Sequence, residues 1–133
     1  MAVLLVDVAN VVGSRPDGWW RDRAGATSRL LAQLAPLTGG SVTTPGGQAL
    51  RCDEVVAVVE GAARDVPDQD GVTLVRAPGS GDDALVAAAA RIAGAGTHLV
   101  VVTADRGLRE RLPAGTAVTG PGWLLAALPP RPA

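Results

Sequence analysis

The sequence predicts an α/β fold, a three-layer α/β/α sandwich around a central, mainly parallel sheet. Three observations predict it. Short aliphatic runs that are almost free of charge recur along the chain, as in strands that are buried on both faces. These runs alternate with helical segments, and right-handed crossover helices are the usual way to join parallel strands. The 133 residues are 47% hydrophobic, which is enough for one domain with a core, and only three of them are aromatic.

The first fifty residues are predicted to form one strand, a long loop, one helix and a second loop. The strand covers residues 2–8, where a single charge, Asp7, stands near the carboxyl end. Residues 9–23 contain two glycines, a proline and five charged residues, which predicts a long loop. Leucines at spacings of one, three and three residues predict an amphipathic helix over 22–37. Glycine and threonine are frequent in residues 38–50, which predicts a loop or a hairpin.

The rest of the chain is predicted to alternate between strands and helices. Aliphatic runs predict strands at 54–60, 72–77, 98–103 and about 116–119. Helices are predicted at 82–94, 105–112 and about 122–128. One domain is therefore expected over residues 1–128, followed by a disordered tail at 129–133.

The composition excludes several classes of protein. All twelve basic residues are Arg, and the lack of Lys excludes a Walker-type phosphate lysine, a Schiff-base lysine and the lysine of a receiver-type phosphoacceptor site. Cys52 and His98 cannot supply the four ligands of a structural zinc site. No apolar run approaches the length of a membrane span, so a soluble, cytoplasmic protein without membrane contact is expected.

Acidic residues occur where the predicted strands end. Asp7, Glu60 and Asp105 each stand at or just after such an end. Asp82 and Asp83 open the helix that follows the third strand. In open parallel sheets the ligand site lies outside the carboxyl ends of the strands, and carboxylates gathered there repel one another. Because ligands that are all oxygen favour a hard divalent ion, the sequence predicts a Mg²⁺ or Mn²⁺ site that activates water for phosphodiester hydrolysis.

Each of these acids also has a structural explanation. Asp82 and Asp83 fit the N-cap and first-turn positions of a helix, where an acid complements the helix dipole. Asp105 can cap the next helix, and Glu60 can be a solvated strand end. Asp7 is different, because a charge beside a buried strand is costly unless it is paired or bound. The combination of positions, rather than any single acid, favours a metal site.

Three segments together resemble the NYN domain branch of the PIN-like nuclease superfamily. They are VDVANVVGSRPDGWWRDR at 6–23, GSGDDALV at 79–86 and VVTADRGLRERL at 101–112. Their order and spacing extend through nearly the whole chain, and the Arg- and Ala-rich composition is similar to that of a high-GC bacterial member. The resemblance implies a three-layer α/β sandwich with a Mg²⁺- or Mn²⁺-dependent ribonuclease site at the carboxyl edge of its sheet.

The resemblance also implies roles for individual residues. Asp7 matches the first metal-binding aspartate, and Asn10 matches the asparagine that follows it. Asp82 or Asp83 matches the acid that opens the middle helix, and the sequence does not distinguish the two. Asp105 matches the aspartate of a [ST]-x-D-R-like motif, in which Thr103 is expected to contact the substrate. One departure is DVAN at 7–10 in place of a DGNN-like start, since the missing glycine alters how closely the backbone approaches a phosphate.

Arginine and tryptophan side chains near the acids are expected to bind RNA. The expected phosphate contacts are Arg15, Arg21, Arg23, Arg106 and Arg109. Trp19 and Trp20 offer flat faces on which unpaired bases stack, although one of the two is expected to pack the loop against the helix. Trp123 is expected in the core.

The leading hypothesis is a metal-dependent endoribonuclease that acts on single-stranded RNA. It uses Asp7, Asp82 or Asp83, and Asp105, with Glu60 as a further metal ligand and Asn10 as a positioning residue. Two alternatives stay open: hydrolysis of a nucleotide or another small phosphoester at the same site, and a non-catalytic module that binds RNA or a partner. No residue decides whether the protein forms a homo-oligomer or pairs with an antitoxin-like partner.

Overall fold

A computed structural model describes residues 2–128 of the chain. Its strands are β1 (Ala2–Asp7), β2 (Ser41–Thr43), β3 (Ala49–Arg51), β4 (Glu54–Val59), β5 (Thr73–Arg76), β6 (His98–Val102) and β7 (Ala117–Thr119). Its α-helices are α1 (Val8–Gly13), α2 (Arg23–Leu34), α3 (Gly81–Gly94), α4 (Arg106–Glu110) and α5 (Pro121–Ala127). Short 3₁₀ helices cover Trp19–Arg21, Ala35–Leu37 and Gly61–Ala63.

Five strands form one sheet in the order β5-β4-β1-β6-β7, and every neighbouring pair is parallel. The strands β2 and β3 form a separate antiparallel hairpin. The predicted strands and the hairpin alternative for residues 38–50 are therefore confirmed. Within residues 2–128, no helix is both long enough and apolar enough to cross a bilayer.

Alternating side chains of the central strand β1 separate the core into two layers. Leu4 and Val6 pack on one face of the sheet with residues of α1, α2 and α5. Val3 and Leu5 pack on the other face with residues of α3 and α4. Because both faces are covered by helices, the strands carry aliphatic residues on each side, which explains the uncharged runs in the sequence. The predicted three-layer α/β/α class is confirmed.

Residues 9–23 are not one long loop, and this prediction was wrong. The helix α1 begins at Val8, which also falls inside the predicted first strand, and a 3₁₀ helix follows at Trp19–Arg21. Val8, Val11 and Val12 are buried, so this single turn and a half is held by packing at i, i+3 and i+4 rather than by local propensity. The expected tail at 129–133 lies outside the described residues.

The strand order creates a crevice between β1 and β6. From β1 the chain moves outward to β4 and β5, and it then returns to the other side of β1 to form β6 and β7. The connections on the two sides leave in opposite directions, so the carboxyl ends of β1 and β6 border a topological switch point. Open α/β sheets bind their ligands in such a crevice.

Candidate active site

Asp7 lies at the switch point and belongs to both the end of β1 and the start of α1. It is the last residue of β1 and the N-cap of α1, where its Oδ1 accepts a hydrogen bond from the backbone N–H of Asn10 at 3.4 Å. Its Oδ2 accepts a hydrogen bond from the hydroxyl of Thr103 at 3.1 Å, across the crevice from the end of β6. The carboxylate is therefore held from both sides of the switch point.

Thr103 connects two of the predicted site residues. Its hydroxyl donates to Asp7 and accepts from the backbone N–H of Asp105 at 3.2 Å. The residue is only 1% exposed, so its side chain lies behind Asp7 instead of facing the solvent. A buried hydroxyl that makes both of these bonds orients its two neighbours, and the expected contact of Thr103 with the substrate stays a prediction.

Asn10 forms a second connection across the crevice. Its Oδ1 accepts a hydrogen bond from the backbone N–H of Ala104 at 2.9 Å, which ties α1 to the loop after β6. Asp105 then caps α4 by accepting from the backbone N–H of Leu108 at 3.1 Å. The structural and functional explanations of Asp105 are compatible, since the exposed carboxylate caps the helix and lies at the edge of the crevice.

Glu60 fixes the start of α3 beside this crevice. Its Oε2 accepts a hydrogen bond from the backbone N–H of Gly81, the first residue of α3, and a Cβ at Gly81 would collide with the same carboxylate. Ser80 caps the helix through the backbone N–H of Asp83. The loop after β4 and the start of α3 are joined in this way, which fixes the position of Asp82 one residue further along.

The structure distinguishes the two aspartates that open α3. Asp82 is partly buried, and its charge acts on Asp7. Asp83 is exposed and forms an ion pair with Arg111, whose Nη2 lies 2.7 Å from its Oδ1. Successive helix residues point about 100° apart, so only one of the pair faces Asp7. Asp82 is the one in the acidic group.

The carboxyl of Asp7 binds a proton more tightly than an ordinary aspartate does. Its pKa is raised from 3.8 to about 6, chiefly by burial and also by the negative charges of Asp82 and Glu60, while the hydrogen bonds from Thr103 and Asn10 oppose the rise. No arginine within residues 2–128 forms an ion pair with Asp7. The negative charge of Asp7 is therefore not compensated by an ion pair among these residues.

The acidic side chains at this edge fit a metal site with few protein ligands better than a site that is formed by protein ligands alone. Within the described part of the chain, no three His, Cys, Asp or Glu side chains converge closely enough to hold an ion by themselves. This excludes a preformed site of three or more such side chains among those residues. It is compatible with Mg²⁺, which is commonly held by one or two carboxylates together with water and substrate phosphates.

Arginine side chains that are expected to bind RNA lie in two places, one group on α4 and the other beside Trp19 and Trp20. Arg106 and Arg109 are exposed on α4, beyond Asp105. On the other side, Arg21 lies 5.9 Å from the ring centre of Trp20, and Arg23 lies 5.3 Å from that of Trp19.

The two adjacent tryptophans have different surroundings. Trp20 is 58% exposed, whereas Trp19 packs against the core, as expected for one of the pair. Trp123 is half-buried against the same core layer. The guanidinium of Arg15 donates to Gln33 on α2 at 2.9 Å, so this side chain is engaged with the helix.

The departure at residues 7–10 has a structural explanation. Val8 is buried in the core and lies in a helical turn, and within residues 2–128 only glycines have a positive φ. The backbone after Asp7 therefore does not need a glycine here.

Sequence analysis did not identify Thr27, Gly61 and Gly79, which line a cavity beside Glu60, because a helix-interior threonine and loop glycines carry no functional signal alone.

Comparison with known proteins supports the fold. No protein-family model matches the chain, and no curated protein matches it. Among solved structures, the chain is similar to a tryptophan-to-leucine mutant of Rae1 (YacP) from Bacillus subtilis, with a TM-score of 0.66 over 95% of this chain and 74% of that chain. The two sequences are 18% identical. The likeness shows a shared α/β/α fold, and the activity has to be argued from the site.

Proposed function

We propose that this protein is a metal-dependent endoribonuclease of the NYN type that hydrolyses single-stranded RNA at the carboxyl edge of its sheet. One observation carries the proposal: Asp7 stands at the switch point with its pKa raised to about 6, beside Asp82 and Glu60 and without an arginine partner within residues 2–128. A purely structural carboxylate is usually paired, and its pKa is lowered. The parallel α/β/α fold, which gathers these acids at the carboxyl edge of its sheet, supports the same conclusion.

Asp7 and Asp82 are the residues that would hold Mg²⁺ or Mn²⁺, with water and an RNA phosphate as the other ligands. Such an ion, when bound, lowers the pKa of a water molecule and neutralises charge on a phosphoryl oxygen. Glu60, expected as a further ligand, instead positions Asp82 through Gly81 in this proposal. Its negative charge adds to the cation affinity of the site.

The other residues orient the carboxylates and hold the RNA. Thr103 fixes the rotamer of Asp7, and Asn10 keeps the loop after β6 close to α1. Asp105 adds a charge at the rim of the crevice. Exposed guanidinium groups bind phosphates from both sides, with Arg106 and Arg109 on α4 and with Arg21 and Arg23 beside the tryptophans. The attacking water displaces a ribose oxygen from phosphorus, and the chain is cut.

The test compares Asp82→Asn with Asp83→Asn, which are the same chemical change at adjacent residues. Purified protein is incubated with labelled single-stranded RNA in Mg²⁺, in Mn²⁺ or in EDTA. We expect cleavage with either ion and none in EDTA. Asp82→Asn should reduce the rate by about 100-fold or more, equivalent to about 2.7 kcal/mol, while Asp83→Asn should change it less than about threefold.

Three results would contradict the proposal. They are an absence of cleavage by folded wild-type protein over a pool of random RNA sequences, cleavage that survives EDTA, and equal loss in the two variants. Release of phosphate from nucleoside triphosphates without cleavage of RNA would instead indicate a small phosphoester hydrolase. RNA binding without either reaction would indicate a non-catalytic module.

A further inference from the structure

A cavity of about 240 Å³ opens beside the acidic edge. Its lining contains an aromatic ring, a guanidinium, a hydroxyl, a carboxylate and two bare backbone segments, supplied by Trp19, Arg23, Thr27, Glu60, Gly61 and Gly79. The volume is below the range of about 300–1,000 Å³ that is typical of sites for drug-sized ligands, so the cavity suits a single small ring system.

Trp19 gives the cavity a fixed flat wall. The indole is half-buried against the core, and the ring of Trp20 meets it edge to face at a centroid distance of 5.9 Å. Arg23 lies 5.3 Å from the centre of the Trp19 ring, is exposed, and has no ion-pair partner within residues 2–128. A planar ligand can stack here, with a positive charge available for an attached phosphate.

Two glycines leave another part of the lining open. A Cβ added at Gly61 or at Gly79 would meet no atom within 4 Å. Gly61 has a φ of +57°, which disfavours a side chain, whereas Gly79 is not among the glycines with positive φ. The lining is therefore bare backbone at these two positions, and a larger residue at Gly79 would enter free space without strain.

Glu60 places an acceptor at the cavity. Its Oε2 is bonded to Gly81, and its Oε1 has no hydrogen-bond partner within the described residues. A carboxylate with a free oxygen accepts N–H donors from the edge of a ring. Guanine presents two adjacent donors on one edge, its N1–H and its 2-amino group, whereas the other bases present at most one donor position there.

We propose that this cavity is a base-binding pocket that takes one unpaired base of the RNA, with guanine preferred. The base stacks on Trp19, and its donor edge faces Glu60. Recognition of splayed, unpaired bases by stacking and edge hydrogen bonds is the general mode for single-stranded RNA. The inference rests on the proposed ribonuclease function, and it adds a preference for guanine near the cleaved bond.

The first experiment measures binding of free nucleotides in EDTA, so that the result does not depend on cleavage. Calorimetry with 5′-GMP, 5′-IMP, 5′-AMP, 5′-CMP and 5′-UMP should give GMP about tenfold tighter than the other natural nucleotides. IMP lacks the 2-amino group and should bind with intermediate affinity.

Variants then assign the binding to the cavity. Glu60→Gln should remove the preference of GMP over AMP, while Asp83→Asn, which also replaces a carboxylate by an amide but lies outside the cavity, should keep it. Trp19→Ala should weaken all five nucleotides, and Trp19→Phe should keep most of the affinity because it retains a stacking face. Gly79→Val adds a side chain at the lining of the cavity without backbone strain and should weaken binding in a protein whose circular dichroism spectrum is unchanged.

A second experiment follows the cleavage sites on RNA oligonucleotides that contain one guanine among uridines. Cutting at a fixed distance from the guanine supports the pocket. Cutting without regard to the guanine, together with equal or absent binding of the five nucleotides, overturns it while leaving the ribonuclease intact. Selective GMP binding without any cutting of RNA supports the pocket and overturns the ribonuclease, so the two failures are distinguishable.

Discussion

An aspartate lies at each end of β1, Asp53 beside the amino end and Asp7 at the carboxyl end, and the two have opposite electrostatic surroundings. At the amino end, the carboxylate of Asp53 accepts from the backbone N–H of Ala2 at 2.8 Å and from Nε of Arg51 at 3.3 Å. The hydrogen bond from Ala2 is the main cause that lowers the pKa of Asp53. At the carboxyl end, burial and two neighbouring acids raise the pKa of Asp7 to about 6.

This difference separates structural from functional use of the same residue type. The arrangement around Asp53 favours its charged form and stabilises the fold. The arrangement around Asp7 disfavours its charged form, and the hydrogen bonds from Thr103 and Asn10 offset only part of that cost. The sheet therefore has an aspartate in a favourable environment at one edge and, at the other edge, an aspartate whose charge is incompletely compensated.

The largest expected effect is on catalysis. Asp7→Asn should lower RNA cleavage in Mn²⁺ by about 100-fold or more, because the variant loses a charge that the ion needs. Asp53→Asn should leave the rate within about threefold of the wild type. Single-turnover cleavage measures both variants, and a similar loss in the two would remove the functional distinction between the ends of β1.

The second effect is on stability in the absence of metal. Since the pKa of Asp7 is raised on folding, the folded protein binds more protons than the unfolded chain between about pH 4 and pH 6. The contribution of Asp7 to the free energy of unfolding therefore falls as the pH rises through this window, by up to about 3 kcal/mol. Asp7→Asn should be more stable than the wild type at pH 7.5 and should lose that advantage at pH 4.

Asp53 serves as the control for this second prediction, because the opposite dependence of stability on pH is expected for it. A lowered pKa means that its contribution is present above the unfolded value of 3.8 and is lost as the pH falls through the folded value. Asp53→Asn should therefore be less stable than the wild type at pH 7.5. Urea unfolding in EDTA at several pH values measures both differences, and a destabilised Asp7→Asn at pH 7.5 would contradict the account of Asp7.

A smaller effect on RNA cleavage is expected from Thr103, which lies behind the carboxylate of Asp7. Thr103→Val keeps the shape of a buried side chain but removes the donor to Asp7 and the acceptor for Asp105. We expect kcat to fall about tenfold and KM for RNA to stay constant, because residues behind a metal ligand tune it without contacting the substrate. In the wild type the hydrogen bond from Thr103 lowers the pKa of Asp7, so its loss raises that pKa. The acidic limb of the pH–rate profile should therefore move to higher pH.

Thr103→Ser is the matched control, because it restores the hydroxyl and should restore most of the rate. A rise in KM with constant kcat would return Thr103 to the direct substrate contact that the sequence motif suggested. That result would also require the buried side chain to become accessible when RNA binds.

Most of the sheet could be predicted from sequence because its strands are buried on both faces. The interiors of the runs that end at Asp7 and Glu60 lack charges, and parallel strands end at one edge, so the acidic edge followed from the order of elements. The helix α1 was missed because breakers at Gly13 and Pro16 outweighed the spacing of its valines. A helix of six residues depends on tertiary packing, which a local pattern does not contain.

The choice between Asp82 and Asp83 could not be made from sequence for a geometric reason. Adjacent helix residues point in different directions, and only the docking of α3 against β1 decides which one faces Asp7. The ion pair of Asp83 with Arg111 joins residues 28 positions apart, and no local signal marks it. The position of Glu60 on the first backbone N–H of α3 likewise depends on the packing of two loops.

The hydrogen bond from Ala104 to Asn10 makes the integrity of this edge observable at a single backbone amide. Ala104 is exposed, so its amide hydrogen would exchange rapidly with deuterium if α1 and the loop after β6 separated. Its exchange rate therefore reports how often the two halves of the crevice part. Slower exchange at Ala104 after addition of Mn²⁺ or RNA would register the closing of the edge without a measurement of catalysis.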